Sequence, residues 1–98
     1  MRTSDRVLEW AKDRGILENG TKYGQFSKLV EETSELGSAI MNDDMEEIID
    51  AIGDIQVVLI ILSEIYGLSA QDCLDSAYKV ITKRTGKMVG GVFVKDNL

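Results

Sequence analysis

The chain has no histidine, no proline and one cysteine, Cys73. Without histidine, zinc sites and di-iron centres built on Glu-x-x-His pairs are disfavoured. One cysteine excludes an internal disulfide framework and fits a reducing compartment. No proline stands in the way of any helical pattern. Long hydrophobic runs are also missing. The longest, residues 55–62, is broken by Gln56 and bounded by Asp54 and Glu64, far short of the roughly 20 residues a membrane helix needs. Arg2, Thr3, Ser4 and Asp5 follow Met1 with no apolar signal segment behind them, so no membrane is expected and the cytoplasm is the expected location. Excess positive charge is absent too: the net charge is −6, which argues against nucleic acid as a partner, since phosphate backbones select basic surfaces. At 98 residues, one domain spanning 1–98 is expected, small enough for oligomerisation to help it.

Carboxylates are what the chain has in quantity. Residues 31–54 hold Glu31, Glu32, Glu35, Asp43, Asp44, Glu46, Glu47, Asp50 and Asp54, with no Lys or Arg among them. Like charges at such density repel unless water screens them or a cation binds among them. The stretch is therefore either a solvated acidic face or a metal site.

Periodicity and caps predict an all-α fold of about four helices. The first starts at a Ser4 or Asp5 cap and runs to about Arg14, where Gly15 ends it; residues 15–24 read as a loop. The second spans about Gln25 to Met41. The third starts at Asp43 or Asp44 and ends at Tyr66 before Gly67. Ser69 to Asp72 has the spacing of a capping box for a fourth helix, ending near Arg84 or Thr85. A short extended tail can form a hairpin about Gly90 and Gly91.

On the second helix, Lys28, Glu31, Glu32 and Glu35 share one arc, opposite Leu29, Val30, Leu36 and Ile40. Taken alone, that is an ordinary amphipathic helix. The third helix differs, because Glu47, Asp50 and Asp54 lie on a stripe that continues into Val58, Ile61 and Ile65. Carboxylates on a packed face are costly to ionise unless something positive meets them. Glu47 can be the third-position partner of an Asp44 cap, and Asp43, Asp44 and Glu46 can be first-turn charges facing the helix dipole. Asp50 and Asp54 have no such local role, so a ligand role is expected for them. Oxygen-only ligands specify a hard cation, magnesium first and manganese second. Lys79, Lys83, Arg84 and Lys87 form a separate basic cluster that suits a polyphosphate, although a helix C-terminus accounts for two of them.

The run Lys28-Leu29-Val30-Glu31-Glu32-Thr33-Ser34-Glu35-Leu36 resembles the E-E-x-x-E-L signature of the MazG-like nucleotide pyrophosphohydrolases. Asp50-Ala51-Ile52-Gly53-Asp54-Ile55 resembles the second half of that signature. Residues 10–16 and 83–89 are similar to the ends of small single-domain members, phage-borne ones included. The family's second element is E-x-x-D, and anchoring it on Asp54 places Ala51 where the Glu belongs. Glu47-Ile48-Ile49-Asp50 also fits E-x-x-D, but it stands nearer Glu35 than the family spacing. The Asp54 anchor is preferred because Gly53-Asp54 leads into the apolar run, and Asp50 can then replace the missing carboxylate.

The resemblance implies a homodimer or a dimer of dimers whose protomers build a four-helix-bundle core. It also implies magnesium-dependent hydrolysis of nucleoside triphosphates to the monophosphate and pyrophosphate. The expected metal ligands are Glu32, Glu35, Asp50 and Asp54, with Glu31 acting on the attacking water. Lys28, Lys79, Lys83, Arg84, Lys87 and Trp10 are expected to bind substrate. The rival expectation is a non-enzymatic helical dimerisation module whose acidic face binds a basic partner.

Overall fold

The computed structural model describes residues 1–97. Five helices are followed by a hairpin: α1 Thr3–Asp13, α2 Ile16–Asn19, α3 Lys22–Met41, α4 Met45–Ile65, α5 Ala70–Ile81, β1 Gly86–Val89 and β2 Val92–Lys95. The all-α expectation holds, and among the described residues no helix is long and apolar enough to cross a membrane.

Local chemistry sets most of the helix ends. Thr21 Oγ1 accepts from the Gly24 N–H, Asp44 Oδ1 from Glu47 and Ser69 Oγ from Asp72, each satisfying a donor that the first turn leaves free. After α4, the Gly67 N–H reaches the Glu64 carbonyl and the Leu68 N–H reaches Ser63. That closure needs a left-handed residue, and Gly67 supplies it at φ 71°.

Four details differ from the sequence reading. The first helix begins earlier: Arg2 is its cap, and the Asp5 carboxylate, expected as a cap itself, accepts the Arg2 N–H from the third position. The expected loop 15–24 contains the single turn α2 and the start of α3. The fourth expected helix, here α5, stops at Ile81, short of Arg84. Asp43 belongs to the end of α3, not to the start of α4. It takes the left-handed position at φ 49° while Asp43 and Asp44 donate to the Ile40 and Ala39 carbonyls.

The antiparallel pair α3–α4 carries the core, with α1 and α2 packed on α4 and α5 on α4 alone. Its buried side chains are small or few: Ala11, Ala39, Ala51, Val58, Ile61 and Glu32. The radius of gyration is 16.0 Å, against about 13 Å for a compact chain of this length. The accessible surface is 7788 Å², about 2,200 Å² more than a compact monomer exposes.

Candidate active site

Glu32 sits at the centre. Helical spacing puts Lys28, Glu31, Glu32 and Glu35 on one side of α3, and packing against α4 buries Glu32 to 5% exposure. Lys28 Nζ lies 3.3 Å from Glu32 Oε1 and 3.6 Å from Glu31 Oε1. These are the only ion pairs among the described residues. Glu32 Oε2 is buried with no hydrogen-bond partner, an arrangement that ordinarily costs about 1–3 kcal/mol.

The electrostatics show what surrounds that oxygen. The Lys28 ammonium is held above its ordinary value, first by its hydrogen bond to Glu32 and then by the charges of Glu31 and Glu32. Glu35 is pushed above the usual carboxylate value, first by its contact with Glu32 and then by the Glu32 charge. Asp54 is pushed up first by burial, then by the charges of Asp50 and Glu32. The Glu32 carboxylate thus acts on Glu35, one turn further along α3, and on Asp54 of α4, which also feels Asp50, and one lysine is set against them.

The expected stripe on α4 is only partly inward. Val58 and Ile61 are buried and Asp54 and Ile65 half-buried, whereas Glu47 and Asp50 are exposed; Ala51, outside that stripe, is buried. Glu47 stands in the first turn, where its N–H is the one that meets the Asp44 cap. Asp50 also borders an acidic hollow of about 440 Å³ with Asp44, Glu46, Glu47 and Ile49.

The remaining expected site residues lie elsewhere. Lys79 is on the exposed end of α5, Lys83 and Arg84 are in the connection after it, and Lys87 is on β1. Trp10, 47% exposed, lines a cleft of about 470 Å³ with Asn19, Thr21, Gly24, Gln25 and Lys28. Lys28 thus faces both the cleft and the carboxylates. No sequence motif marks the amides of Asn19 and Gln25, and only the packing of α2 and the start of α3 brings them to the cleft beside Trp10.

Among the described residues, no group of three or more His, Cys, Asp or Glu side chains is gathered closely enough to hold an ion as it stands. The donor chemistry nevertheless fits a hard cation, because the oxygens are carboxylate, one is buried and unpartnered, and two neighbours are hard to ionise together.

A helical pair with a crowded carboxylate cluster at its interface is the class of site that the comparisons bear on. The MazG nucleotide pyrophosphohydrolase domain matches residues 24–89, a span that holds α4, α5, β1 and all of α3 except its first two residues. The chain belongs to this family. It is also 38% identical over 75 residues to the uncharacterised 18.2 kDa protein in the rep–hol intergenic region of Haemophilus phage HP1. The match covers 76% of this chain and 42% of that protein, so the chain spans less than half the relative's length. No solved structure matches.

Proposed function

We propose that the chain hydrolyses nucleoside triphosphates to the monophosphate and pyrophosphate with magnesium held by Glu32, Glu35 and Asp54, and with Asp50 as the fourth carboxylate. The observation that carries this reading is the buried, unpartnered Glu32 Oε2 among carboxylates that cannot readily ionise together. Bound there, magnesium (or manganese) would neutralise phosphate charge and favour a hydroxide-like water.

The chain's own residues supply the rest. Glu31, exposed beside Lys28, accepts the proton of the water that adds to the α-phosphorus as the bond to the bridging oxygen breaks. Pyrophosphate leaves with that oxygen. Lys28 pairs with Glu31 and Glu32 and holds both turned to one side. Lys79, Lys83, Arg84 and Lys87 receive the leaving phosphates in an assembled enzyme. Trp10, half exposed and lining its cleft, offers a stacking surface for the base.

The same reading includes assembly. Leu59 on α4 and Leu74, Tyr78 and Ile81 on α5 are all exposed, and α4 and α5 border an apolar cleft of about 570 Å³. The excess surface is well above the roughly 800 Å² per partner of a standard interface. A homodimer, or a dimer of dimers, would cover it. The test is pyrophosphate release from a panel of nucleoside triphosphates with and without magnesium. Appearance of monophosphate plus pyrophosphate, lost in chelator, is expected. Orthophosphate as the first product, or no turnover on any triphosphate, would overturn the reading.

A further inference from the structure

The hairpin after α5 is well formed yet, among the described residues, packs on no helix. Gly86 pairs with Lys95, Lys87 with Val94, Met88 with Phe93 and Val89 with Val92. Gly90 and Gly91 turn it with φ 56° and 85°, the two left-handed residues that a tight two-residue hairpin turn requires. Thr85 and Asp96 clamp its base through a backbone and a side-chain hydrogen bond. Neither strand packs on any helix of the chain. Cross-strand partners share a face, so Val89, Val92 and Val94 cover one side while Met88 and Phe93 cover the other, and all five are exposed. A lone two-stranded hairpin is marginal in water. This one bares apolar side chains on both faces.

Its charge indicates what covers it. Residues 83–95 carry Lys83, Arg84, Lys87 and Lys95 and no acidic residue. The hollow at the start of α4 has the opposite character: Asp44, Glu46, Glu47 and Asp50 surround the exposed Ile49. Met45 and Ile52 beside it are exposed as well. None of the hollow's carboxylates has a cation within ion-pair distance among the described residues.

We infer that the β1–β2 hairpin is an arm that docks on a second copy of this chain, in the acidic hollow at the start of that copy's α4. Phe93 meets Ile49 there, and Lys95 meets Glu46. Apolar contact supplies the affinity, and the opposed charges set the orientation and speed the encounter. The inference shares Asp50 and the basic residues of the arm with the proposed hydrolysis, but its test needs neither metal nor nucleotide, so the two fail separately.

Cross-linking between two single-cysteine proteins tests it, both carrying Cys73→Ser. One has Phe93→Cys and the other Ile49→Cys. They are mixed without nucleotide, oxidised with copper–phenanthroline and separated under non-reducing conditions. Covalent heterodimer is expected at least about tenfold faster than when Phe93→Cys is mixed with a Lys12→Cys control. Adding Lys95→Glu to the Phe93→Cys chain should slow the reaction about tenfold, and Glu46→Lys in the Ile49→Cys chain should restore it. Circular dichroism of each variant establishes that it folds. Folded variants that link no faster than the control overturn the inference. So does a Phe93→Cys, Ile49→Cys double variant that closes within one chain at high dilution.

Discussion

Glu32→Gln is the most informative single change, because it keeps the shape of the side chain and removes only its charge. In the metal-free protein Glu32 Oε2 is buried without a partner, and the Glu32 carboxylate holds Glu35 above its ordinary value and adds to the burial and the Asp50 charge that raise Asp54. A glutamine amide can donate to a neighbouring carboxylate, which recovers about 1–3 kcal/mol of unsatisfied acceptor. Against this stands the loss of the Lys28–Glu32 pair at 3.3 Å. The Lys28 side chain is 49% exposed, so solvent screens that pair and its loss offsets only part of the gain. The expected net effect in chelator is a gain of about 1 kcal/mol, or about 4–8 °C in melting temperature for a domain of this size. With magnesium the order reverses. The parent gains about 2.7 kcal/mol at a concentration one hundred times its dissociation constant, while the variant gains little. Thermal melts with chelator and with increasing magnesium measure both effects. A Glu32→Gln protein that is less stable than the parent in chelator, yet shifts equally with magnesium, would refute the reasoning.

Asp54→Asn should lower pyrophosphate release by about 100-fold or more, since losing a ligand costs at least as much as losing its supporting shell, while the helical circular dichroism is unchanged. Asp50→Ala should also remove most activity, and adding Ala51→Glu should restore part of it; turnover assays on the single and double variants read this, and no recovery would count against the Asp54 anchor. Metal-free stability should fall as pH rises: the raised Glu35 and Asp54 favour their protonated forms in the fold. Their stabilisation is complete below the ordinary values of 4.5 and 3.8 and is lost as pH rises through the raised ones, which urea titrations run upward from those ordinary values would register. Gly67→Ala should cost about 1–2 kcal/mol in chemical denaturation, because nothing within 4 Å would meet the new methyl and the loss is all backbone strain at φ 71°.

What the sequence reveals about this fold is what its local chemistry decides. Thr21, Asp44 and Ser69 cap their helices through donors three residues on, and Gly15 and Gly67 end theirs at positive φ. Gly90-Gly91 between two short apolar runs is a hairpin signal of the same kind. Asp43 escaped because the left-handed position after α3 is held by an aspartate where glycine is the usual marker. The turn α2 escaped because four residues in a glycine-bounded loop have no periodicity to read; packing on α1 and α4 holds them.

The site divides along the same line. Spacing alone puts Lys28, Glu31, Glu32 and Glu35 on one side of α3, but only the approach of α4 decides that Glu32 is the one buried. The same approach turns Ala51 fully inward, at 1% exposure, and leaves Asp50 exposed about 100° away around the helix. Ala51 occupies the position from which a carboxylate one turn before Asp54 would face α3. With a methyl group there, the inner face of α4 offers Asp54 as its single acidic side chain next to Glu32. Under the proposed reading, three carboxylates and the edge of a fourth then confront the ion. Magnesium ordinarily keeps several waters and takes phosphate oxygens as ligands, so a protein set short by one leaves a coordination position for the substrate. Under that reading, the departure from the family pattern at residue 51 concerns how tightly the free protein would hold its metal, while the carboxylates of α3 and α4 concern whether it would hold one at all.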